Sequence, residues 1–234
     1  MTIELYEGRY SPLTSEIGYL QCDVDVAVNV YSQWMKKIQA LRGVDVITTP
    51  FSSDSLHIAL LKLLPLTSIE RRRVLFIPVE KGWSAYFDNG WRGADAGSVI
   101  SYLSRTIGCK GVRSCYIPNL SNRLGAVIME IYSATNTEFI NTLRSVSAIN
   151  DGRKWLFSAA GKIQPFEYVD KYKATKIKDR FTESMLKDYL MYLGIHAFDN
   201  DCYYSSKYFL VEKKGPMAVS AKEYNLDEVQ KSWL

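Results

Sequence analysis

Residues 74–95 read VLFIPVEKGWSAYFDNGWRGAD and carry the clearest signals of local structure in the chain. The apolar run Val74–Val79 is typical of a buried strand. Ser84–Phe87 predicts its hairpin partner, because the Glu80–Gly82 segment between them is short enough to be a tight connection. The chain is therefore expected to build a β-sheet that contains this hairpin.

The same stretch then changes from strand to helix. Asp88-Asn89-Gly90 predicts a turn, because Asn and Gly both tolerate a positive φ. Apolar residues recur at helical spacing over 94–107, and Gly108 stands where a helix commonly ends. A hairpin followed by a helix indicates a fold that mixes both kinds of element.

The remaining sequence continues this mixture. Helices are predicted over 25–42 with Gly43 after the last residue, from a cap at Ser52 or Ser53 to Pro65, over 176–193 and close to the C-terminus. Strands are predicted over 3–6, 112–117, 125–132, 145–149, 154–159, 163–169 and 203–212. We predict an α+β fold, in which helices pack on a mixed or antiparallel sheet.

The length of 234 residues suffices for one large domain or two small ones. No Pro-rich or low-complexity linker divides the chain, so a single α+β domain over 1–234 is expected. An order of Trp, helix, Gly and strand begins at Trp83 and recurs from Trp155. This recurrence leaves open a pair of similar α/β halves.

The net charge of the chain is only +4, whereas nucleic-acid-binding domains usually concentrate a larger basic excess. Nucleic acid is therefore not the expected partner, although Arg71–Arg73 and the basic stretch 153–180, which includes Lys171–Arg180, keep this alternative open. Acidic residues dominate 1–35, and such a dipolar distribution of charge can steer a charged partner.

Targeting signals and cysteine spacing bear on where the protein resides. The N-terminal residues have neither the basic region nor the apolar run of a secretory signal, and no apolar stretch is long enough to cross a bilayer. Cys22, Cys109, Cys115 and Cys202 are scattered, which argues against a disulfide framework or a zinc site. We expect a cytoplasmic protein with reduced thiols and no membrane partner.

Catalytic signatures are sparse. The chain contains only two His, and it lacks the glycine motifs that bind phosphates or dinucleotides or that present a nucleophilic Ser. We therefore predict no catalytic residue, no cofactor and no metal ion, and we do not expect an enzyme. An enzyme that uses His57 with Asp54 remains an alternative, because a His and a carboxylate are two parts of a catalytic triad.

Residues 82–95 form the densest unusual segment, with two Trp, an Arg and two Asp around a tight turn. Trp and Arg are the residue types that dominate binding hot spots. We therefore predict a partner-binding surface here, made of Asp88, Asn89, Trp91, Arg92 and Asp95.

The pattern W-x-A-Y-F-D-N-G-W-R-G at 83–93, followed by the predicted helix and the Cys109–Tyr116 strand, resembles the immunity proteins of bacterial polymorphic-toxin systems. The chain length and the α+β pattern are similar to the family called immunity protein fifty-two. The resemblance implies a non-enzymatic, cytoplasmic antidote used in bacterial competition. Such an antidote binds and neutralises a cognate toxin domain, often a nuclease delivered by a type VI or related secretion system.

A nuclease toxin would require an acidic surface on its antidote, since opposite charge speeds encounter. Because the whole chain is slightly basic, this surface must be local. The candidates are Asp23 with Asp25, and the run Asp199, Asn200 and Asp201. An acidic toxin would instead face the 153–180 cluster. The identity of the toxin and the oligomeric state stay open.

Overall fold

The computed structural model describes residues 4–203 and 207–232. The strands are β1 (Glu16–Leu20), β2 (Asp45–Phe51), β3 (Leu66–Thr67), β4 (Arg73–Val79), β5 (Trp83–Asp88), β6 (Gly111–Ile117), β7 (Ala126–Tyr132), β8 (Thr142–Asn150), β9 (Trp155–Gly161), β10 (Tyr208–Lys214) and β11 (Glu223–Tyr224). The helices are α1 (Val24–Gln39), α2 (Leu56–Leu61), α3 (Ala96–Ile107), α4 (Glu183–Tyr192) and α5 (Leu226–Lys231).

Nine strands form one sheet with the order β2-β10-β4-β5-β1-β6-β7-β8-β9. Every neighbouring pair in it is antiparallel. β3 and β11 form a separate two-stranded ladder. The hairpin predicted from residues 74–87 is confirmed as β4 and β5, which pair from Val74 opposite Asp88 to Val79 opposite Trp83. The fold is α+β, as the sequence predicts.

Helices cover both faces of this sheet, because successive side chains on a strand point to opposite faces. On β5, Tyr86 packs in one apolar layer with α1 and α3, and Phe87 packs in the other with α2, α4 and α5. Both side chains are buried. The central strands are therefore covered on two sides, which explains their nearly continuous apolar sequence.

The ends of α1 and α3 lie close to the predicted positions. Gly43 and Gly108 follow the two helical segments with φ of 63° and 80°, in the left-handed region that glycine adopts without strain. Within residues 4–203 and 207–232, no helix combines the length and the apolar character needed to cross a membrane.

The strand predicted over 163–169 is wrong, because a buried ion pair bends this segment into turns. Arg144 Nη2 on β8 lies 2.6 Å from Glu167 Oε2, and both side chains are almost completely buried. Glu167 also accepts hydrogen bonds from the Gln164 N–H and the Tyr172 hydroxyl. The backbone must turn to bring the Gln164 N–H and the Tyr172 hydroxyl to the same carboxylate, and an extended strand does not turn in this way.

The helix predicted over 176–193 is shorter than expected. α4 begins at Glu183, where the Thr182 hydroxyl accepts a hydrogen bond from the Met185 N–H. The preceding residues Ile177–Asp179 form a separate 3₁₀ turn. The predicted end of the helix agrees with the structure, since Gly194 has a φ of 80°.

The start of the chain also differs from the prediction. The sequence predicts a strand over 3–6, but Leu5–Gly8 is a 3₁₀ turn. Ile3, the first residue of the predicted strand, lies outside the described residues. α2 begins after Ser55, so neither Ser52 nor Ser53 occupies the cap position.

Two predictions about the C-terminal half fail in part. The sequence predicts a strand from Tyr203, but β10 begins at Tyr208. Tyr203 is the last residue of a 3₁₀ turn. Residues 204–206 lie outside the described ranges. The two similar halves do not recur in the sheet. β5 and β6 both pair with β1, whereas β9 is an edge strand and β10 lies between β2 and β4.

Candidate functional site: an acidic turn beside a left-handed aromatic segment

Asp88 is completely buried at the end of β5. Its carboxylate lies 3.2 Å from Arg71 Nε and accepts hydrogen bonds from the N–H groups of Gly90 and Asp95 and from the Tyr86 hydroxyl. Burial raises the pKa of Asp88, against the opposing effect of Arg71. In this structure Asp88 holds the turn together from inside and is out of reach of a partner.

Asn89 is buried in the same way. Its side-chain oxygen accepts the N–H groups of Arg72 and Arg73, and its amide nitrogen donates to the Pro65 carbonyl. Asn89 and Gly90 do not have the positive φ that the turn signal suggested. Gly90 is needed for space instead, since a Cβ there would lie 2.6 Å from Arg71 Nε.

Trp91 and Arg92 reach the surface. The half-buried Trp91 ring stacks on Tyr224 of β11 with centroids 4.9 Å apart, and the exposed Arg92 guanidinium lies 4.4 Å above the same ring. Asp95 is also exposed, and its carboxylate accepts the Ser98 hydroxyl at the start of α3. Of the five residues predicted in this segment, three are accessible and two are interior.

Asp199, Asn200 and Asp201 are all exposed and line a pocket of about 490 Å³. The remaining lining residues are Lys187, Met191, His196, Ala197 and Phe198. The turn is ordered by its own hydrogen bonds, since Asp199 accepts the Asp201 N–H at 3.0 Å and donates its own N–H to the His196 carbonyl at 3.1 Å. The Asp199 carboxylate is thus held at the rim of a concave surface, and the backbone of Asp201 is fixed beside it.

A left-handed segment lies against this turn. Tyr6 and Glu7 have φ of 51° and 57°, a conformation that costs about 1–2 kcal/mol for each non-glycine residue. The Tyr6 N–H donates to Asn200 Oδ1 at 3.1 Å, which ties the segment to the acidic turn. Strained backbone of this kind persists where surrounding contacts hold it and is common at binding sites.

The carboxylates of the turn contribute to raised pKa values at two neighbouring residues, Tyr6 and Cys202. Burial raises the pKa of the Tyr6 hydroxyl, and the nearby Asp201 carboxylate acts in the same direction. Burial likewise raises the pKa of the Cys202 thiol, with Glu80 and Asp199 adding to the effect. The pocket lining itself combines the carboxylates of Asp199 and Asp201 with the ammonium group of Lys187.

His57 belongs to the same neighbourhood but not to a triad with Asp54. Its Nδ1 lies 2.9 Å from the Ser55 hydroxyl, and its ring contacts Tyr6 and Tyr10 with centroid distances of 5.7 and 6.2 Å. The contact with Ser55 was not expected from the sequence. Across the described ranges, no group of three or more His, Cys, Asp or Glu is placed to hold a metal ion.

The other two charged candidates are both exposed, but the acidic one is already paired with a cation. Asp23 caps α1 by accepting the Asp25 N–H, and Asp25 pairs with Lys207 at 2.6 Å, which lowers the pKa of Asp25. This patch is therefore already neutralised in part. In the 153–180 stretch, most basic side chains are exposed; they are Arg153, Lys154, Lys162, Lys171, Lys173, Lys176 and Lys178.

The sequence indicates the acidic turn Asp199–Asp201, but it does not indicate that the left-handed segment at Tyr6 and Glu7 lies beside it. Tyr6 and Asn200 are 194 positions apart, so no spacing pattern could join them. The resemblance of residues 83–93 to immunity proteins stays an expectation, because comparison of the chain with known family models, characterised proteins and solved structures finds no match.

Proposed function

We propose that this protein is an immunity protein that binds a cognate bacterial toxin domain and blocks its active site. The observation that carries the proposal is the exposed Asp199–Asp201 turn at the rim of the 490 Å³ pocket. The proposed partner is a nuclease-type toxin, delivered by a type VI or related secretion system. The proposed place of action is the cytoplasm, where such a toxin meets its substrate.

Charge supports this assignment. A nuclease active site gathers Arg and Lys to bind phosphates. A basic side chain that enters the pocket meets two carboxylates and the aromatic surface of Phe198. Because hydrogen bonds already fix the backbone of the turn and the Asp199 carboxylate, less conformational entropy is lost when the toxin binds.

The Trp91–Arg92 surface offers a further contact of the type found at binding hot spots. The stack of Arg92, Trp91 and Tyr224 presents a flat, preordered cation at the surface. Exposed cation–π pairs contribute about 0.5–1 kcal/mol, so this surface would add specificity rather than most of the affinity.

Co-expression with the toxin domain encoded by the neighbouring gene tests the proposal. The unmodified protein is expected to restore growth of a susceptible cell and to co-purify with the toxin. The double variant Asp199→Asn with Asp201→Asn keeps hydrogen-bonding oxygens in the turn, and its affinity is expected to fall at least tenfold. Absence of both rescue and complex would overturn the proposal.

A matched control separates a specific effect from a change in net charge. Glu138 and Asp170 are exposed carboxylates away from the pocket lining. The double variant Glu138→Gln with Asp170→Asn carries the same charge as the pocket variant. Its toxin affinity is expected to equal that of the unmodified protein, and an equal loss in both variants would contradict a role for the pocket.

The second candidate function is nucleic-acid binding through residues 153–180, which the exposure of most basic side chains there supports. Binding of a single-stranded oligonucleotide that weakens steeply with salt would favour this function. Absence of binding at low salt would remove it.

A further inference from the structure

The nine-stranded sheet ends in two edge strands, β2 and β9. An edge strand exposes backbone N–H and C=O groups that can pair with another chain, and proteins commonly protect such edges. Hydrogen-bonded and non-hydrogen-bonded pairs alternate between β2 and β10, and this alternation places Pro50 among the residues whose backbone points outward. Pro50 has no N–H to donate to a further strand. The edge at β2 is therefore blunted.

The edge at β9 lacks such protection. At the start of β9, the Lys154 carbonyl accepts the Asp151 N–H at 3.0 Å. At its end, the Lys162 N–H donates to the Leu143 carbonyl at 2.9 Å. Both ends of the strand are therefore in register with β8. Hydrogen-bonded and non-hydrogen-bonded pairs alternate between these ends. The backbone groups of Trp155, Phe157 and Ala159 therefore point away from β8.

The side chains around these outward groups leave room for a further strand. Residues 158–161 are Ser, Ala, Ala and Gly, all exposed, and the strand contains neither Pro nor a charged residue. Among the described residues, no backbone hydrogen bond joins the outward groups of Trp155, Phe157 and Ala159 to another segment. β9 is thus an exposed edge strand whose outward N–H and C=O groups are available for pairing.

Charge indicates which chain fits this template. Arg153 and Lys154 precede β9, Lys162 follows it, and the turn Ile177–Asp179 packs against it between Lys176 and Arg180. These basic groups favour an acidic segment. They oppose a second copy of β9 in the antiparallel register centred on Ser158, because that register brings Lys154 of one chain beside Lys162 of the other.

A nucleic acid satisfies this edge less well than a peptide does. Phosphate oxygens accept hydrogen bonds but cannot donate them, so the outward carbonyls would remain unpaired. An extended peptide supplies donors and acceptors in alternation.

We propose that β9 is a docking edge for an extended, acidic segment of a protein partner, which adds to the sheet as a further strand. This inference goes beyond the proposed function and does not depend on it. The Asp199–Asp201 turn leads into residues that pack on β4, and β9 lies six strands from β4, a separation of about 29 Å at the usual strand spacing.

Binding of synthetic peptides to the purified full chain tests the proposal without any toxin. The probe is a fluorescein-labelled octapeptide of alternating Val and Asp, and the comparison probe has Lys in place of every Asp. We expect saturable binding of the acidic probe only, with slowed amide hydrogen exchange at Trp155, Phe157 and Ala159. Failure of the acidic probe to bind at low salt, or equal binding of the Lys probe, would overturn the proposal.

The variant Ala159→Pro removes one outward N–H and leaves the pairing with β8 intact. Its affinity for the acidic probe is expected to fall at least tenfold. Ala159→Thr is the matched control, because it enlarges the same side chain but keeps the N–H, and its affinity should stay within twofold of the unmodified protein. Thermal unfolding shows whether both variants remain folded. Unchanged affinity of folded Ala159→Pro, or preference for a single-stranded oligonucleotide over the acidic peptide, would contradict strand addition.

Discussion

Cys22 and Cys109 lie opposite each other just beyond the paired ends of β1 and β6. Leu20 pairs with Gly111, and the Gln21 N–H donates to the Lys110 carbonyl at 2.9 Å, so the next pair in register is Cys22 with Cys109. Because Gln21 and Lys110 form a hydrogen-bonded pair, the two cysteines occupy a non-hydrogen-bonded site, where side chains come closest. Hydrogen bonding between the thiols lowers the pKa of Cys22 and raises that of Cys109.

Oxidised glutathione is expected to convert this pair into a disulfide. The Cys22 thiolate attacks one glutathione sulfur and releases reduced glutathione. Cys109 then displaces the second glutathione, so each protein disulfide formed yields two reduced glutathione molecules. Mass spectrometry of peptides should find the Cys22–Cys109 link, and Cys22→Ser should abolish it. Oxidation that instead joins the buried Cys115 or Cys202 would contradict this prediction.

Loss of one partner of the Arg144–Glu167 pair should destabilise the protein strongly. Both side chains are almost fully buried, so Glu167→Ala leaves a charged guanidinium without its carboxylate. We expect the free energy of unfolding to fall by about 3–5 kcal/mol in urea titrations. The double variant Arg144→Met with Glu167→Leu is the control, and it should be more stable than Glu167→Ala alone. Equal stability of the two would show that the unpaired charge is not the cause.

Alkaline pH should destabilise the protein in part through Cys115. Burial raises the pKa of this thiol to about 12, whereas a Cys in the unfolded chain has a pKa of about 8.5. At a pH between these two values, the unfolded chain has lost the Cys115 proton and the folded chain has kept it. The contribution of the buried thiol to the free energy of unfolding is therefore complete below about pH 8.5 and is lost as the pH rises toward 12. The free energy of unfolding, measured in urea at pH 8 to 10, should therefore fall less in Cys115→Ala. Parallel pH profiles would refute this contribution.

Tyr224 should anchor the C-terminal segment through the Trp91 ring. The two rings are stacked at an interplanar angle of 12°, and such pairs contribute about 0.5–1.5 kcal/mol beyond their buried area. Tyr224→Ala should lower the free energy of unfolding by at least this amount and change the fluorescence of Trp91. Tyr224→Phe keeps the ring and should match the unmodified protein. Loss of stability in both would assign the effect to the hydroxyl.

The sequence predicts those parts of the fold that depend on neighbouring residues. The β4–β5 hairpin, α3 and the glycines that end helices are local features, and they appear as expected. The segment around Glu167 is predicted as a strand, but its conformation depends on Arg144, which is 23 positions away.

The candidate site shows the same limit. The acidic run Asp199–Asp201 is visible in the sequence, because it needs no other part of the chain to be recognised. Asp88 and Asn89 have the residue types of a binding loop, yet burial turns them into internal hydrogen-bond partners. Whether a polar side chain near a turn points outward depends on packing, which a single sequence does not display.

The position of β10 determines when this chain can complete its fold during synthesis. β10 lies between β2 and β4, so the C-terminal quarter of the protein supplies an interior strand of a sheet whose other members are made earlier. Its pairing with β2 joins Tyr208 to Phe51 and closes a very long loop, which is slow compared with the formation of local hairpins. A ribosome-bound chain that ends before Tyr208 leaves β2 without a strand neighbour and the apolar flank of β4 uncovered. Any activity that needs the finished sheet therefore begins only after Tyr208–Lys214 has emerged from the ribosome.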